Sequence, residues 1–346
     1  MEAVITLQKQ KVDKELNYKM KIGLIDIDHS RFPNIALMKI SAWHKAQGDS
    51  VEWYTPFEHY NRVYVAKVFS FSEDWNEPIN ADEVVYGGTG YQIKVINSKE
   101  IFVQDKYEEY RHCFFSRKHK HMNVLPHHIE HIYPDYSLYP MYTQDTAYGF
   151  LTRGCPRGCS FCHVAAKEGK RSVKVADLSE FWNGQKRIVL CDPNILACKD
   201  WRPLLQQLID SRATIDLNQG IDIRLMTEEK AEMLCQCKLE QIHFAWDRYE
   251  DGERILPRLK MFRRVWEKHR KWNEHGQIVY TLVNFDTTFE QDLERIYKLR
   301  ELGYWAYVMI YDKEHADKQY RHLSRYVNNR FIFAKCPRFE DYKCSL

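Results

Sequence analysis

The segment Thr152–Cys162 reads TRGCPRGCSFC and places three cysteines within eight residues, at the spacing C-x3-C-x2-C. Gly154 and Gly158 allow tight backbone turns, and Pro156 fixes one backbone angle between them. Such a loop can direct three thiolates toward one object, and iron–sulfur clusters take cysteine thiolates as ligands. The segment therefore predicts a metal site in which one position is left without a cysteine from the loop.

Composition indicates a globular protein with a large core. The chain has 346 residues, of which 44% are apolar and 29% charged. Its formal charge of +3 is too small to argue for nucleic acid binding. The first ten residues lack the apolar run of a secretion signal, and no stretch reaches the ~18 apolar residues of a membrane span. We therefore expect a cytoplasmic protein with no membrane partner, whose ten cysteines stay reduced.

Residues 21–130 have the pattern of a small, mostly parallel sheet of Rossmann-like type, preceded by an extension over residues 1–20. The predicted strands are Lys21–Asp28, Val51–Tyr54, Arg62–Phe69 and Glu83–Tyr86, and the predicted helix is Asn34–Gln47. Gly87–Gly90 follows the fourth strand. Because it lacks the full spacing of a dinucleotide-binding motif, we interpret it as a tight turn at a strand end.

Residues 145–312 alternate strand and helix six times, and a helical tail follows over residues 313–346. The predicted strands are Ala147–Thr152, Arg187–Asp192, Ala213–Asn218, Gln241–Asp247, Ile278–Asn284 and Tyr304–Tyr311. Thr227 and Thr288 have the sequence context of helix N-caps. The predicted fold class is α/β, with a partial (β/α)6 TIM-like barrel preceded by the Rossmann-like sheet domain.

Polar residues follow the strands of the second array. They are Asp192, Asn194, Asn218, Gln219, Asp222, Asp247, Asn284 and Tyr311. In parallel α/β folds the active site lies at the carboxyl ends of the strands. Since the cysteine segment follows the first strand of the array, it should open onto the same edge.

The motif Cys155-x3-Cys159-x2-Cys162, with Phe161 before the last cysteine and a six-unit array around it, resembles that of the radical S-adenosylmethionine (radical SAM) enzymes. The N-terminal sheet is similar to the cobalamin (B12)-binding-like domain that precedes the radical domain in one branch of that superfamily. The segment Asn218–Leu225 also looks like a piece shared within this branch. Together these similarities cover most of residues 21–312.

The resemblance implies a 4Fe–4S cluster bound by Cys155, Cys159 and Cys162, with S-adenosylmethionine (SAM) at the fourth iron. The family's reaction is reductive cleavage of SAM to a 5′-deoxyadenosyl radical, which abstracts hydrogen from a substrate. It implies an electron donor of flavodoxin or ferredoxin type and places Phe161 near the adenine of SAM. The remaining candidate SAM-binding residues are Asp192, Asn194, Gln219, Asp222 and Arg224. Arg224 could pair with the methionine carboxylate, because guanidinium suits planar oxyanions.

The chain departs from the family in two places. The second strand of the array ends Leu190-Cys191-Asp192-Pro193-Asn194 instead of in the Gly-Gly-Glu of many members, so Asp192 or Asn194 would take its place. The cobalamin signature Asp-x-His-x-x-Gly is absent, since Asp26 and His29 stand at another spacing. Bound cobalamin is therefore unsupported by a His-ligand motif, although the resemblance leaves it open.

Alternatives to a radical SAM enzyme also follow from the residues. Cys155, Cys159, Cys162 and His163 could hold structural zinc in a non-catalytic protein, although structural zinc sites usually combine two separated ligand pairs. The basic and aromatic segment Lys260–Trp266 could belong to an RNA-binding module, but its spacing is typical of an amphipathic helix. Cys336 and Cys344 leave a second metal site open. The residues do not identify a substrate.

Overall fold

The computed structural model describes residues 19–96, 99–103, 118–122, 124–270 and 276–343. The chain divides into two compact units. Unit 1 is built from residues up to 144, and unit 2 from residues 145 onward together with the short segment 96–100. The predicted extension over residues 1–20 lies outside the described residues as far as residue 18. Assignment of the units to functional domains stays a prediction.

Unit 1 contains a five-stranded parallel sheet with strand order β2-β1-β3-β4-β7. Its strands are β1 (Lys21–Asp26), β2 (Ser50–Trp53), β3 (Tyr60–Ala66), β4 (Ala81–Gly87) and β7 (Lys118–Met122), and β5 (Ile93–Ile96) pairs separately with β6 (Lys99–Phe102). The strand order reverses beside β1, because β2 lies on one side of it and β3 on the other. Such a switch point is where parallel α/β sheets open a crevice at their carboxyl edge.

The β1 sequence is a nearly continuous apolar run because both of its faces are covered. Leu24 packs with Leu37 and Ile40 of helix α1 (Ile35–Ala46) on one face, while Ile25 packs with Val63 on the other. Asn34 caps α1 by accepting a hydrogen bond from the Leu37 amide at 3.2 Å, so the predicted helix is confirmed within one residue at each end.

The glycine run after β4 is a turn packed against backbone. Gly88 has φ +105°, and a Cβ there would lie 2.2 Å from the Lys67 carbonyl oxygen. A side chain is therefore excluded on both conformational and steric grounds. The two short helices that complete unit 1 are α2 (His127–Glu130) and α3 (Pro140–Thr143).

Unit 2 contains a six-stranded parallel sheet whose strands lie in sequence order. They are β8 (Thr146–Gly149), β11 (Arg187–Leu190), β12 (Thr214–Leu217), β13 (Lys238–Ala245), β14 (Gln277–Val283) and β15 (Trp305–Ile310). The prediction of an α/β fold with six parallel strands after a Rossmann-like sheet is confirmed. The finer description of the second sheet as a TIM-like barrel stays a prediction.

Helices connect these strands and cover the sheet. They are α4 (Val164–Glu168), α5 (Trp201–Ser211), α6 (Glu228–Gln236), α7 (Gly252–His269) and α8 (Phe289–Glu301), followed by α9 (Lys318–Asn328) and α10 (Arg330–Lys335). The predicted cap at Thr227 and the capping box of Thr288 with Gln291 are both present. Among the helices of the described residues, none has the length and apolar character needed to cross a bilayer.

Helix α7 resolves the interpretation of the basic and aromatic segment. Phe262 and Trp266 are buried, and Phe262 meets Phe244 of β13 edge to face at 5.0 Å. Lys260 is exposed on the opposite side. The aromatic rings of this segment therefore belong to the core, as expected for an amphipathic helix, and are not a stacking surface for RNA bases.

Candidate functional site

The cysteine loop, residues 154–172, follows β8 within unit 2. Two short strands pair at its neck, where the loop begins and ends. β9 (Thr152–Arg153) pairs antiparallel with β10 (Val173–Lys174), which brings the two ends of the loop together. The Glu168 carboxylate accepts hydrogen bonds from the Gly154 amide at 3.1 Å and from the Arg153 guanidinium at 2.9 Å. Gly154 has φ +84°, and a Cβ there would lie 2.2 Å from the Arg171 carbonyl oxygen, so glycine is required at the neck.

Asp192, which follows the neighbouring strand β11, holds the residues that lead into this loop. Its buried carboxylate accepts hydrogen bonds from the Leu151 amide at 2.9 Å and from the amide and hydroxyl of Thr152, both at 2.6 Å. Burial raises the pKa of Asp192 to about 6, although these hydrogen bonds oppose the shift. Both carboxylate oxygens are thus engaged by the chain itself, and Asp192 holds the turn from which the cysteines project.

The three cysteines occupy different environments within the loop. Cys155 and Cys159 are half-buried, whereas Cys162 is exposed. Burial raises the pKa of the Cys159 thiol. Across the described ranges, no group of three or more His, Cys, Asp or Glu side chains has the geometry of a metal-ion site. The charges of Cys155 and Cys159 both act on the Cys162 thiol, so the three thiols lie near one another in the loop.

Asn194 contacts the loop directly. Its side-chain nitrogen Nδ2 lies 3.5 Å from Cys155 Sγ, in position to donate a hydrogen bond, and its backbone carbonyl oxygen accepts one from the Ser172 hydroxyl at 2.8 Å. The side chain is buried, and its Oδ1 has no hydrogen-bond partner among the residues that the structure describes. A buried acceptor of this kind costs about 1–3 kcal/mol unless a donor reaches it.

A charged cluster flanks the loop on the next strand connection. Arg224 donates to Asp222 Oδ1 and to Asp251 Oδ2, each at 2.7 Å. Arg157 of the cysteine loop lies 3.8 Å from Asp222 Oδ2 and 3.7 Å from Asp251 Oδ2, so the cluster joins the loop by ion pairs. Within the described chain Asp222 Oδ2 is buried and accepts no hydrogen bond. These two bonds use Nε and Nη1 of Arg224, and a guanidinium carries five N–H donors.

Asp247 follows β13 and adds another carboxylate to this edge. Burial raises its pKa, while the nearby positive charges of Arg224 and Arg295 lower it. Its negative charge also acts on Cys159, which shows that it lies near the cysteine loop. The sequence places Asp247 at a strand end, but only the structure reveals its proximity to the thiols.

Phe161 connects the cysteine loop to the last two strands through aromatic contacts. Its ring meets that of Phe285 at 5.2 Å, and Phe285 meets Tyr311 at 4.8 Å. Phe285 lies two residues after the end of β14, and Tyr311 directly follows β15. The predicted contact of Phe161 with adenine stays a prediction. Phe285 was missed because an apolar residue after a strand carries no signal for a site.

Gln219 is the candidate with the least support from geometry. It is exposed in the turn after β12, where Gly220 adopts φ +80°. Among the contacts of the described residues it does not join the cluster formed by Asp222, Arg224 and Asp251. Its predicted role in SAM binding stays a prediction.

The cysteines outside the loop are mostly core residues. Cys191, Cys198, Cys235 and Cys237 are buried. Burial raises the pKa of Cys191 and of Cys237 to about 12, so both are protonated thiols at neutral pH. Cys336 is half-buried, and Cys344 lies outside the described residues. A second metal site in the tail stays a prediction.

No protein-family model and no curated protein sequence matches the chain. Among solved structures, the chain matches the radical SAM methyltransferase TsrM from Kitasatospora setae with cobalamin and a 4Fe–4S cluster bound. That match has 12% identity and a TM-score of 0.56, over 85% of this chain and 72% of TsrM. TsrM with its tryptophan substrate and the SAM analogue aza-SAM bound matches at 12% identity and a TM-score of 0.58, over 84% and 72%. At this identity the likeness shows the fold, and it confirms the fold expected from the radical SAM resemblance.

Proposed function

We propose that this chain is a radical SAM enzyme whose unit 2 binds a 4Fe–4S cluster through Cys155, Cys159 and Cys162, with SAM beside it. The observation that carries the proposal is the position of the cysteine loop. The loop leaves the carboxyl end of the first strand in a six-stranded parallel sheet, where this fold class places its active sites. TsrM, whose fold the chain shares, holds both a 4Fe–4S cluster and a SAM analogue.

The donor chemistry of the site fits these two groups. Cysteine thiolates are the usual protein ligands of iron in such clusters, and an N–H donor such as the Asn194 side-chain amide stabilises sulfur ligands. Asn194 Oδ1 and Asp222 Oδ2 are buried acceptors that await a donor. The amino and hydroxyl groups of SAM would supply such donors.

The chemistry belongs to the cofactors, and the protein positions them. A 4Fe–4S cluster held by Cys155, Cys159 and Cys162 would supply an electron, received from a flavodoxin- or ferredoxin-like donor, for the reductive cleavage of SAM and hydrogen abstraction from a substrate. Asp192 holds the start of the cysteine loop, and Glu168, near its end, bonds back to the same start. Arg157 ties its middle to Asp222 and Asp251.

Cobalamin ligated by histidine does not fit unit 1. His29 stands at the wrong spacing after β1, and the neighbouring carboxylate of Asp28 is already occupied. Asp28 accepts hydrogen bonds from the Val68 and Phe69 amides at 2.6 and 3.2 Å and from the Ser72 hydroxyl at 2.7 Å. No step of the proposed reaction is therefore derived through cobalamin, although TsrM binds it.

The test is anaerobic purification followed by cluster reconstitution and reduction with dithionite in the presence of SAM. We expect roughly four iron atoms per chain and formation of 5′-deoxyadenosine. Cys159→Ala should abolish both signals. Cys336→Ala removes a cysteine far along the chain from the loop and should leave both unchanged.

Two results would contradict the proposal. Stoichiometric zinc without SAM cleavage would favour the structural zinc site of Cys155, Cys159, Cys162 and His163. A Cys159→Ala protein that still forms 5′-deoxyadenosine would remove the cysteine loop from the reaction. Iron loss in Cys336→Ala would instead reveal a second metal site in the tail.

A further inference from the structure

The positive charge of the chain is concentrated at the neck of the cysteine loop. Residues 153–174 contain six basic residues and one acidic residue, so their formal charge is +5, whereas the whole chain carries only +3. The rest of the chain is therefore slightly acidic. Charge that is concentrated on one segment of a nearly neutral protein creates a local field that attracts partners of the opposite sign.

Two of these cations are available to a partner. Lys170 and Arg171 are exposed and form no ion pair within the described part of the chain. Arg153, by contrast, is paired with Glu168 at 2.9 Å, so the loop itself already uses its charge. The field of the loop toward solvent therefore comes mainly from Lys170 and Arg171.

Both cations lie beside the first cysteine of the loop. The residue before them, Gly169, accepts a hydrogen bond from the Cys155 amide at 3.1 Å. The residue after them, Ser172, donates to the backbone carbonyl of Asn194, whose side-chain nitrogen lies 3.5 Å from Cys155 Sγ. The chain is thus held next to Cys155 on either side of the two cations, and a partner that contacts them is brought close to the cysteines.

An apolar side chain stands among these charges. Val173 follows the two cations and is 45% exposed, and the next residue, Lys174, is exposed and paired with Asp177 at 2.7 Å. We call Lys170, Arg171, Val173 and Lys174 the basic patch. An apolar centre within a charged rim is the usual composition of a protein–protein contact. Four residues make a small contact, which suits the brief encounters of electron-transfer proteins.

We propose that the basic patch is the docking surface for a small, acidic, one-electron carrier protein. This inference rests on the proposed function and assigns the partner face of the same site. The carrier gives up one electron to the 4Fe–4S cluster, so the carrier is oxidised and the cluster is reduced. Opposite charges speed association without requiring tight binding, and a carrier that must leave after each transfer needs both properties. The patch contains no aromatic side chain on which a base could stack, so it fits an acidic protein better than a single-stranded nucleic acid.

The first test measures binding and needs no cluster. Isothermal titration of the full chain, as purified, with an acidic flavodoxin at low ionic strength should show binding. Raising the ionic strength to about 0.15 M, where the Debye length falls to ~8 Å, should weaken it. The double variant Lys170→Glu with Arg171→Glu should raise the Kd about tenfold. Lys170→Arg with Arg171→Lys keeps both charges and should leave the Kd close to that of the native chain.

Lys238→Glu is the control for charge reversal in general. Lys238 is exposed at the start of β13, and the amino ends of the strands lie at the opposite edge of the sheet from the cysteine loop. This variant should therefore bind flavodoxin like the native chain. Far-UV circular dichroism and urea midpoints establish that each variant folds.

The second test uses the reconstituted chain with two reductants. Formation of 5′-deoxyadenosine driven by reduced flavodoxin, below its saturating concentration, should fall about tenfold in Lys170→Glu with Arg171→Glu. Formation driven by dithionite should stay close to the native rate, because a small reductant needs no docking surface. If the native chain cleaves no SAM even with dithionite, the proposed function fails, while the titrations still decide whether the patch binds the carrier.

Four results would overturn the docking surface. They are the absence of flavodoxin binding to the native chain, an unchanged Kd after charge reversal at Lys170 and Arg171, an equal loss in Lys238→Glu, and tighter binding of an oligouridylate than of flavodoxin at the patch. The last result would assign the patch to a nucleic acid instead of a carrier protein.

Discussion

Two buried charged residues hold opposite halves of the carboxyl edge of the unit 2 sheet, one as a hydrogen-bond acceptor and the other as a donor. Asp192 collects N–H and O–H donors from Leu151 and Thr152 and so fixes the start of the cysteine loop. Arg295, fully buried in α8, donates to the carbonyl oxygens of Trp246 and Leu282 and so fixes the ends of β13 and β14. Each side chain forms hydrogen bonds with backbone N–H or C=O groups that strand pairing leaves without a partner at a strand end.

The two ions differ in how their charge is balanced. Arg295 forms an ion pair with Asp292, itself fully buried, and Asp292 also accepts a hydrogen bond from the Asn284 amide. Asp192 has no ion-pair partner within hydrogen-bonding distance among the described residues, and burial raises its pKa. Removing one member of a buried ion pair leaves the charge of the other uncompensated. A carboxylate held only by N–H and O–H dipoles can instead bind a proton and become neutral. The consequences of removing them should differ accordingly.

The largest effect should come from Arg295→Met. This substitution leaves the Asp292 carboxylate buried without its counter-ion, which typically costs about 3–5 kcal/mol of the free energy of unfolding. Urea unfolding followed by tryptophan fluorescence measures the loss. Arg254→Met, on the exposed side of α7, should shift the midpoint by much less. Equal midpoints for the two variants would mean that the Arg295 pair does not stabilise this edge.

The contribution of Asp192 to the free energy of unfolding should depend on pH. Its pKa is about 6 in the fold, against an ordinary value of 3.8, so folding favours the neutral carboxyl group. The resulting stabilisation is fully present below pH 3.8 and is lost as the pH rises through 6. A difference of about two pKa units corresponds to about 3 kcal/mol.

Asp192→Asn cannot titrate and serves as the reference for this effect. The free energy of unfolding of the native chain, relative to Asp192→Asn, should therefore fall by about 2 kcal/mol between pH 4 and pH 7. Asp145→Asn alters an exposed carboxylate paired with Lys186 and should show no comparable trend. A pH-independent difference for Asp192→Asn would show that the carboxylate stays ionised throughout.

The sequence predicted the strands around Asp192 and Arg295 better than the contacts that these two residues make. The strands around both ions were predictable because apolar runs bounded by polar residues are local signals. Asp192 was correctly placed after the second strand of the array. Its hydrogen bonds, however, reach residues 40 and 41 positions away, so its engagement by the chain depends on strand pairing that no local pattern encodes.

Arg295 was missed for the opposite reason. A charged residue in an amphipathic helix such as Phe289–Glu301 ordinarily faces solvent. Only the carbonyl groups of two strand ends and the neighbouring Asp292 make its burial favourable.

The smallest predicted effect tests whether Asp222 stabilises the fold or contacts a ligand. Asp222 Oδ1 is engaged by Arg224, but its buried Oδ2 accepts no hydrogen bond in the described structure. Asp222→Asn can place an NH₂ group where this acceptor stands. If SAM donates a hydrogen bond there, its dissociation constant should rise about tenfold, or about 1.4 kcal/mol, in the reconstituted protein.

Asp251→Asn is the matched control, because Asp251 also pairs with Arg224 and Arg157 but has no buried oxygen without a hydrogen bond. Equilibrium dialysis with labelled SAM should separate the two variants, while their urea midpoints should remain close to each other. Equal SAM affinities in Asp222→Asn and Asp251→Asn would assign Asp222 to the scaffold, alongside Asp192. A selective loss in Asp222→Asn would place the ligand contact on the connection after β12, leaving Asp192 to hold the loop.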